Sequence, residues 1–395
     1  VKNDTIKSRR SFLQTAALSL ASIPLLSCGK SVKPETIITN PDAHKPKADP
    51  IAHKPKAKSN TVAYTDPNLH KTQASTSNTN INKSTARLIL PPRLTKGSTI
   101  AITAPASPIF DTHRIIRFQE TLKDLGFNTI TGATLQARYG YLAGRDVLRA
   151  QELNALFANH NVHGIIAMRG GWGCARILDL VDYNTIAANP KVLMGFSDIT
   201  SLLIAIYTKT GLASFHGPVG YSSWNQYSTE YVKKILIEGR SNVLLTNHSR
   251  NISKLWKIRG GIATGKLIGG NLTVVTSLLG SAYLPDWHDK ILFVEETEEE
   301  VYRIDRMLTQ LKLAGVLNSI KGFVFGICNK CEPKVPDESL NIQEMLTEHL
   351  KPLRIPVLVG ANFGHTAYNY TLPIGVNAKL DADAGTIQIL QAAVR

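Results

Sequence analysis

Between residues 99 and 210, short apolar runs ending in Gly, Ser or Pro alternate with segments of helical pattern. Residues 99–104 read as a buried strand, followed by a helix to about Leu125. A short strand over 128–131, a Gly/Tyr-rich loop over 139–145 and a helix over 146–159 come next. Strand 164–168 then runs into Arg169-Gly170-Gly171-Trp172-Gly173. Strand 192–195 runs into Phe196-Ser197-Asp198, with a helix over 199–210 behind it. Strands joined through helices lie parallel, because only an antiparallel neighbour can be reached by a short hairpin. Ligands in such sheets bind outside the carboxyl ends of the strands, where both Gly171 and Ser197 fall.

The fold class expected is therefore α/β. A parallel-sheet, Rossmann-like domain over 87–220 carries a strand–turn–helix elbow at Ser197. Residues 221–262 are polar and irregular, with Trp224 and Trp256, and read as an interdomain connection. A smaller α/β domain over 263–395 follows. It is built from a helix over 272–279, strands near 291–294, 322–327 and 386–390, and an amphipathic helix over 302–314.

The front of the chain is of a different kind. Lys7-Ser8-Arg9-Arg10-Ser11-Phe12-Leu13 places paired arginines before an apolar stretch, 12–26, that is too short for a comfortable membrane span. It closely resembles a twin-arginine export signal. Leu25-Leu26-Ser27-Cys28 looks like a lipobox, which would make Cys28 a lipidated anchor and residues 1–28 the signal. Residues 29–86 are Lys, Pro, Ser, Thr and Asn with few large apolar side chains, a composition that cannot offset its ordering entropy and reads as a disordered tether. Residues 1–87 hold 14 Lys+Arg against 5 Asp+Glu, so much of the formal net charge of +15 sits there. A basic tail does not make a folded nucleic-acid reader, and no nucleic-acid partner is expected. Anionic lipid or wall polymer fits the charge better. The chain is expected to be exported and membrane-anchored, facing the periplasm or cell wall.

Cys174, Cys328 and Cys331 remain, an odd set that is no disulfide framework. Cys328-Asn-Lys-Cys331 lacks a second Cys/His pair at zinc-ribbon spacing. It reads as ordinary residues ending a strand, with a local disulfide as the alternative.

Several residues could carry chemistry. A serine becomes a nucleophile when a tight strand-to-helix turn exposes its hydroxyl beside a base. Ser197 stands in such a place, although Ile199 replaces the second glycine of G-x-S-x-G and Ser-Asp is also an ordinary helix N-cap. The glycines of 169–173 let backbone N–H groups turn towards an oxyanion, with Gly171 as one donor and the Asp198 amide as the other. A phosphate loop would need Gly-Lys-Ser/Thr or a full G-x-G-x-x-G, and neither is present. For the base, His216 ends an apolar strand and His365 sits in a Gly-flanked loop. Glu295, at the end of strand 291–294, is best placed to orient it, whereas 296–300 read as a solvated acidic face.

From about Leu88 to its end the chain resembles the serine-type LD-carboxypeptidases, the muramoyltetrapeptide carboxypeptidase family that includes microcin-immunity peptidases. The resemblance is carried by Gly140-Tyr-Leu-Ala-Gly-Arg-Asp146, Arg169-Gly-Gly-Trp-Gly173, Gly195-Phe-Ser-Asp-Ile-Thr200 and Phe215-His-Gly-Pro218. It continues through Gly269-Gly-Asn-Leu-Thr273, Leu292-Phe-Val-Glu-Glu296, Tyr302-Arg-Ile-Asp-Arg-Met-Leu308 and Phe363-Gly-His365. It implies Ser197 as nucleophile, Glu295 as carboxylate and His365 as base, leaving His216 a structural or pocket role. Trp172 stands where the family usually has Tyr, and Val301 where Pro is common.

The implied reaction is hydrolysis of the L,D-peptide bond that releases terminal D-Ala from a murein tetrapeptide or muropeptide, with no metal or organic cofactor. Arg169, Trp172 and Arg303 are the candidate substrate contacts, and a homodimer is the assembly considered. The alternatives are a related hydrolase that detoxifies a peptide-like antibiotic and a non-catalytic wall-binding lipoprotein.

Overall fold

A computed structural model describes residues 87–395. The segments expected to be an export signal, a lipid-anchored Cys28 and a tether lie outside the described residues.

Five strands follow the expected alternation: β1 (Thr99–Thr103), β2 (Asn128–Thr131), β3 (Gly164–Ala167), β4 (Val192–Gly195) and β5 (Ser214–His216). They pair in parallel in the order β2-β1-β3-β4-β5. Ile100, Ala101 and Ile102 of β1 and Ile165 of β3 are buried, as interior strands covered on both faces must be. Edge strand β2 is largely exposed and three of its four residues are polar. In this strand order the direction of winding reverses between β1 and β3, which opens a crevice at their carboxyl ends.

The second sheet takes β6 (Val243–Leu245), β7 (Trp256–Arg259), β8 (Ile262–Asn271), β9 (Lys290–Glu295), β10 (Gly322–Gly326) and β11 (Val357–Ala361). After β12 (Leu372–Ile374), the chain adds β13 (Asn377–Asp381) and β14 (Thr386–Ile389). The order is β6-β14-β13-β8-β9-β10-β11-β7, so this eight-stranded sheet is the wider of the two. Its centre, β8 to β11, is parallel, and the pairings outside it are antiparallel. Residues 221–262 do more than connect the halves. They form a helix, Gln226–Val232, and supply both edge strands of the second sheet, β6 and β7.

The two sheets are tied together. β12, from late in the chain, pairs antiparallel with β5 and completes the first sheet. The helix Thr200–Thr210 is buried on nearly every side, the condition of a helix enclosed by protein. Its Thr200 hydroxyl accepts a 3.0 Å hydrogen bond from the Asn271 amide at the end of β8. Cys328 and Cys331 form a disulfide, so of the two readings of that segment the bridged one describes the structure. Cys174 is free and buried. No helix among the described residues is long and apolar enough to cross a membrane.

Candidate active site

The elbow begins where β4 stops. Phe196 is extended, and Ser197 takes φ +63°, a left-handed conformation that costs a non-glycine residue energy and persists only where surroundings enforce it. A short 3-10 turn, Ser197–Ile199, then feeds the helix Thr200–Thr210. Space for the turn comes from Gly170, where an added Cβ would lie 2.7 Å from the Ser197 Cβ.

A histidine–carboxylate pair stands beside this turn. His365 Nδ1 and Glu295 Oε2 are 2.7 Å apart. Glu295 closes β9 with no exposed surface, and His365 remains partly open to solvent. Gly364 permits the approach, since its φ is +96° and an added Cβ would meet Glu295 Oε2 at 2.4 Å. Burial alone would raise the Glu295 pKa, but the His365 charge and hydrogen bond outweigh it and hold the carboxyl below its ordinary value. Burial likewise pulls His365 down, and the Glu295 charge with its hydrogen bond more than reverses this, leaving the imidazole above its ordinary value. With Nδ1 committed to the carboxylate, Nε2 is the nitrogen that can exchange a proton with a substrate or nucleophile. The His365 ring packs edge-on against Phe196, with centroids 4.9 Å apart, which sets it next to the elbow. Ser197 and His365 share no hydrogen bond among the described residues. Catalytic hydrogen bonds are often long without substrate and tighten in the complex.

Glu296, expected on a solvated face, is 3% exposed and faces inward. It accepts from the Thr273 amide at 2.9 Å, the Thr273 hydroxyl at 2.8 Å and the Thr297 amide at 3.0 Å. Asn271 Nδ2 donates both to Glu295 Oε1 at 3.2 Å and to Glu296 Oε1 at 3.1 Å. Burial, and then the neighbouring Glu295 charge, raise the Glu296 pKa. The acidic run conceals this, because nothing in Glu-Glu-Thr-Glu-Glu-Glu separates the first two glutamates from the rest. Glu298, Glu299 and Glu300 do lie towards solvent, paired with Lys330, Arg303 and Lys334. The signal for Asn271 was available in Gly269-Gly270-Asn271-Leu272-Thr273: Asn271 caps the helix Leu272–Ser277 and reaches Glu295 from there.

The glycine loop lies at the β1/β3 crevice. Gly171 has φ +114°, and an added Cβ there would collide with Ser107 Oγ, which also accepts from the Trp172 amide at 3.0 Å. Gly170 lies against the Asp198 amide, so this loop and the elbow are in contact. The Asp198 side chain turns inward, accepting from the Cys174 amide at 2.8 Å, and burial raises its pKa.

The substrate candidates separate. Arg169 and Trp172 belong to the glycine loop, with the Arg169 guanidinium 5.5 Å from the Tyr221 ring centroid and Trp172 exposed. Arg303 lies elsewhere. It stacks on Tyr302, pairs with Glu299 and borders a cavity of about 350 Å³ whose lining includes none of Ser197, Glu295 and His365.

His216 is buried beneath the elbow, packed against Phe196, Phe293 and Phe363, and neither ring nitrogen has a hydrogen-bond partner among the described residues. Burial lowers its pKa to about 4, so at neutral pH it is an uncharged packing group. Among the described residues no cluster of three His, Cys, Asp or Glu side chains is placed to hold a metal ion.

Residues 100–217 match the model of the LD-carboxypeptidase N-terminal domain, and residues 264–380 that of the LD-carboxypeptidase C-terminal domain. Among curated proteins, a probable murein peptide carboxypeptidase of Bacillus subtilis is 34% identical, the match covering 76% of this chain and 93% of that protein. The microcin C7 self-immunity protein of Escherichia coli is 31% identical, over 75% of this chain and 94% of that protein. Among solved structures, the muramoyltetrapeptide carboxypeptidase of Oxalobacter formigenes matches with a TM-score of 0.65 and 30% identity, covering 73% of this chain and 97% of that one. An α/β scaffold with a strained serine after β4 and a buried Glu paired with a His beside it is thus found in a chain that both domain models match: the chain belongs to the serine-type LD-carboxypeptidase family.

Proposed function

We propose that the chain removes the terminal D-Ala from murein tetrapeptides by cutting the L,D-peptide bond, with Ser197, His365 and Glu295 as its catalytic groups. The observation that carries this reading is the Glu295–His365 pair beside the Ser197 elbow, in a family whose members include proteins named for murein peptides. Ser197 Oγ attacks the carbonyl carbon while His365 Nε2 takes its proton. The Gly171 and Asp198 amides receive the oxyanion. His365 then returns the proton to the departing D-Ala amine, and water repeats the sequence on the acyl-enzyme. Glu295 holds the Nδ1–H tautomer and balances the imidazolium. Losing one oxyanion donor in such a site costs about a hundredfold or more.

The test is mass spectrometry of disaccharide-tetrapeptide incubated with the full chain and with Ser197→Ala. Loss of a single alanine with the parent protein alone supports the reading. An intact substrate with both folded proteins counts against it. Similarity to a microcin self-immunity protein gives a second reading, hydrolysis of a peptide-like antibiotic, and an aminoacyl-nucleotide analogue in the same panel distinguishes the two.

The export signal at 7–13 and the sequence Leu25-Leu26-Ser27-Cys28 support a lipid anchor on Cys28 that would hold this chemistry on the wall side of a membrane. Incorporation of a labelled fatty acid, lost in Cys28→Ala, is the result expected. Unchanged labelling in that variant would remove Cys28 as the anchor.

A further inference from the structure

Exposed aromatic rings are unevenly spread over the molecule. Among the described residues five Phe, Tyr or Trp side chains are exposed, and four of them, Phe110, Tyr139, Tyr141 and Trp172, lie on three loops that follow β1, β2 and β3. These loops are joined. The Ala143 amide donates to the Ala106 carbonyl at 2.9 Å, Arg138 donates to the Ile109 carbonyl at 3.3 Å, and the Trp172 amide donates to Ser107 Oγ at 3.0 Å. Leu142 is buried against Gly173, where an added Cβ would lie 2.4 Å from it. The loops that carry the four rings are therefore joined into one rim, although they are separated in sequence.

Two of the rings have a guanidinium over their faces. The Arg138 guanidinium lies 4.9 Å from the Phe110 centroid, and that of Arg145 lies 4.4 Å from the Tyr139 centroid. Among the described residues neither arginine has a carboxylate partner in an ion pair, whereas nearby Asp146 is taken by Arg149 and Arg176. The rim thus offers aromatic faces with guanidinium groups beside them. Exposures of 47–65% leave large ring areas in water, a cost that a bound ligand would relieve. A pyranose fits this chemistry: its C–H face is apolar and its edge carries hydroxyl and carbonyl acceptors. The rim is also continuous with the proposed active site. Trp172 is two residues from Gly170, which abuts Ser197, so the chain between them spans at most about 7 Å.

We propose that this rim binds the amino-sugar portion of a muropeptide, so that the chain acts preferentially on peptides still joined to their glycan. The inference rests on the murein-peptide reading above and names the part of the substrate that the peptide chemistry leaves open.

The test compares kcat/KM for disaccharide-tetrapeptide and for free tetrapeptide in the full chain and in a Tyr141→Ala/Trp172→Ala variant whose fold is checked by circular dichroism. The glycan-bearing substrate should be favoured by the parent, and the ratio of the two values should fall about tenfold in the variant, whatever the absolute rates. Equal use of both substrates by the parent, or an unchanged ratio in the variant, overturns the proposal. A second measurement needs no hydrolysis: titration of Ser197→Ala with peptide-free N-acetylglucosaminyl-N-acetylmuramic acid. Saturable binding that disappears when Tyr141 and Trp172 are also replaced supports the rim, and absence of binding overturns it. If neither peptide is cleaved but the sugar binds, the carboxypeptidase reading fails while the glycan site stands. Sedimentation of the same proteins completes the set, because a dimer broken by these two substitutions would assign the rim to a second copy of the chain.

Discussion

Glu295 and His216 are both fully buried near the same elbow, yet their surroundings set opposite ionisation states. Glu295 is held charged by the imidazole it touches, and His216 is held neutral by aromatic walls. Glu295→Gln keeps the shape and removes the charge, so kcat should fall roughly 10³–10⁴-fold. The acid limb of kcat/KM, where His365 must be deprotonated to act, should also shift to lower pH, because Glu295 is what raises the imidazole. Steady-state pH profiles of the residual activity check this, and an unmoved limb would mean that His365 does not set it. His216 has a different signature. Its pKa is depressed from 6.5 to about 4 on folding, so its contribution to stability is present above pH 6.5 and is lost as pH falls towards 4. The loss reaches about 3 kcal/mol at the low end. His216→Phe should flatten that part of the stability–pH curve, as read from denaturant midpoints between pH 4 and 7. A variant with the parent's acid sensitivity would place the protonation elsewhere.

Elements were legible in the sequence where one run carried its own punctuation. The pattern Val-Leu-Met-Gly followed by Phe-Ser-Asp and an apolar helix could be read because strand, turn and helix are adjacent, and β4 is found where expected. β8 was hidden because Gly265, Gly269 and Gly270 break its alternation, and β6 and β7 because three- and four-residue strands gain their order from distant partners. The role of Glu296 was hidden for the same reason, since the hydrogen bond it accepts from Asn271 joins β8 to the end of β9. The Cys328–Cys331 loop is a further non-local element. The Asn329 amide donates to the Glu296 carbonyl at 3.2 Å, and the Glu298 amide donates to the Asn329 carbonyl at 2.8 Å, so the bridged turn buttresses the segment just past Glu295. Closing so short a loop stabilises by about 2 kcal/mol in the chain-entropy picture. Cys328→Ser/Cys331→Ser should lose about that much stability, with kcat reduced more than KM is raised, because the affected segment carries the carboxylate. A rise in KM alone would assign the loop to substrate binding.

At the scale of the whole molecule, the reading of two successive domains meets β12. This strand leaves the second half of the chain, pairs Leu372 with His216 and Ile374 with Ser214 in the first sheet, and returns to form β13 and β14 in the second. Neither half can then complete its sheets alone: the first lacks an edge strand, and the second would leave Leu372 and Ile374, both buried, without cover. Such sharing couples the sheets energetically, and it also aligns the proposed active site, because His365 approaches the elbow from the loop just before β12. The expected behaviour is one cooperative unfolding transition for residues 87–395. Single-tryptophan variants can report it, with Trp224 packed on Phe118 in the first half and Trp287 buried in the second. The two fluorescence midpoints should coincide in denaturant. Leu372→Ala, which opens a cavity at the crossing strand, should lower both midpoints together by the equivalent of about 2–5 kcal/mol. If only the Trp224 signal moved, the halves would unfold independently, and β12 would be an edge strand laid on a finished domain rather than the element that holds Ser197 and His365 in register.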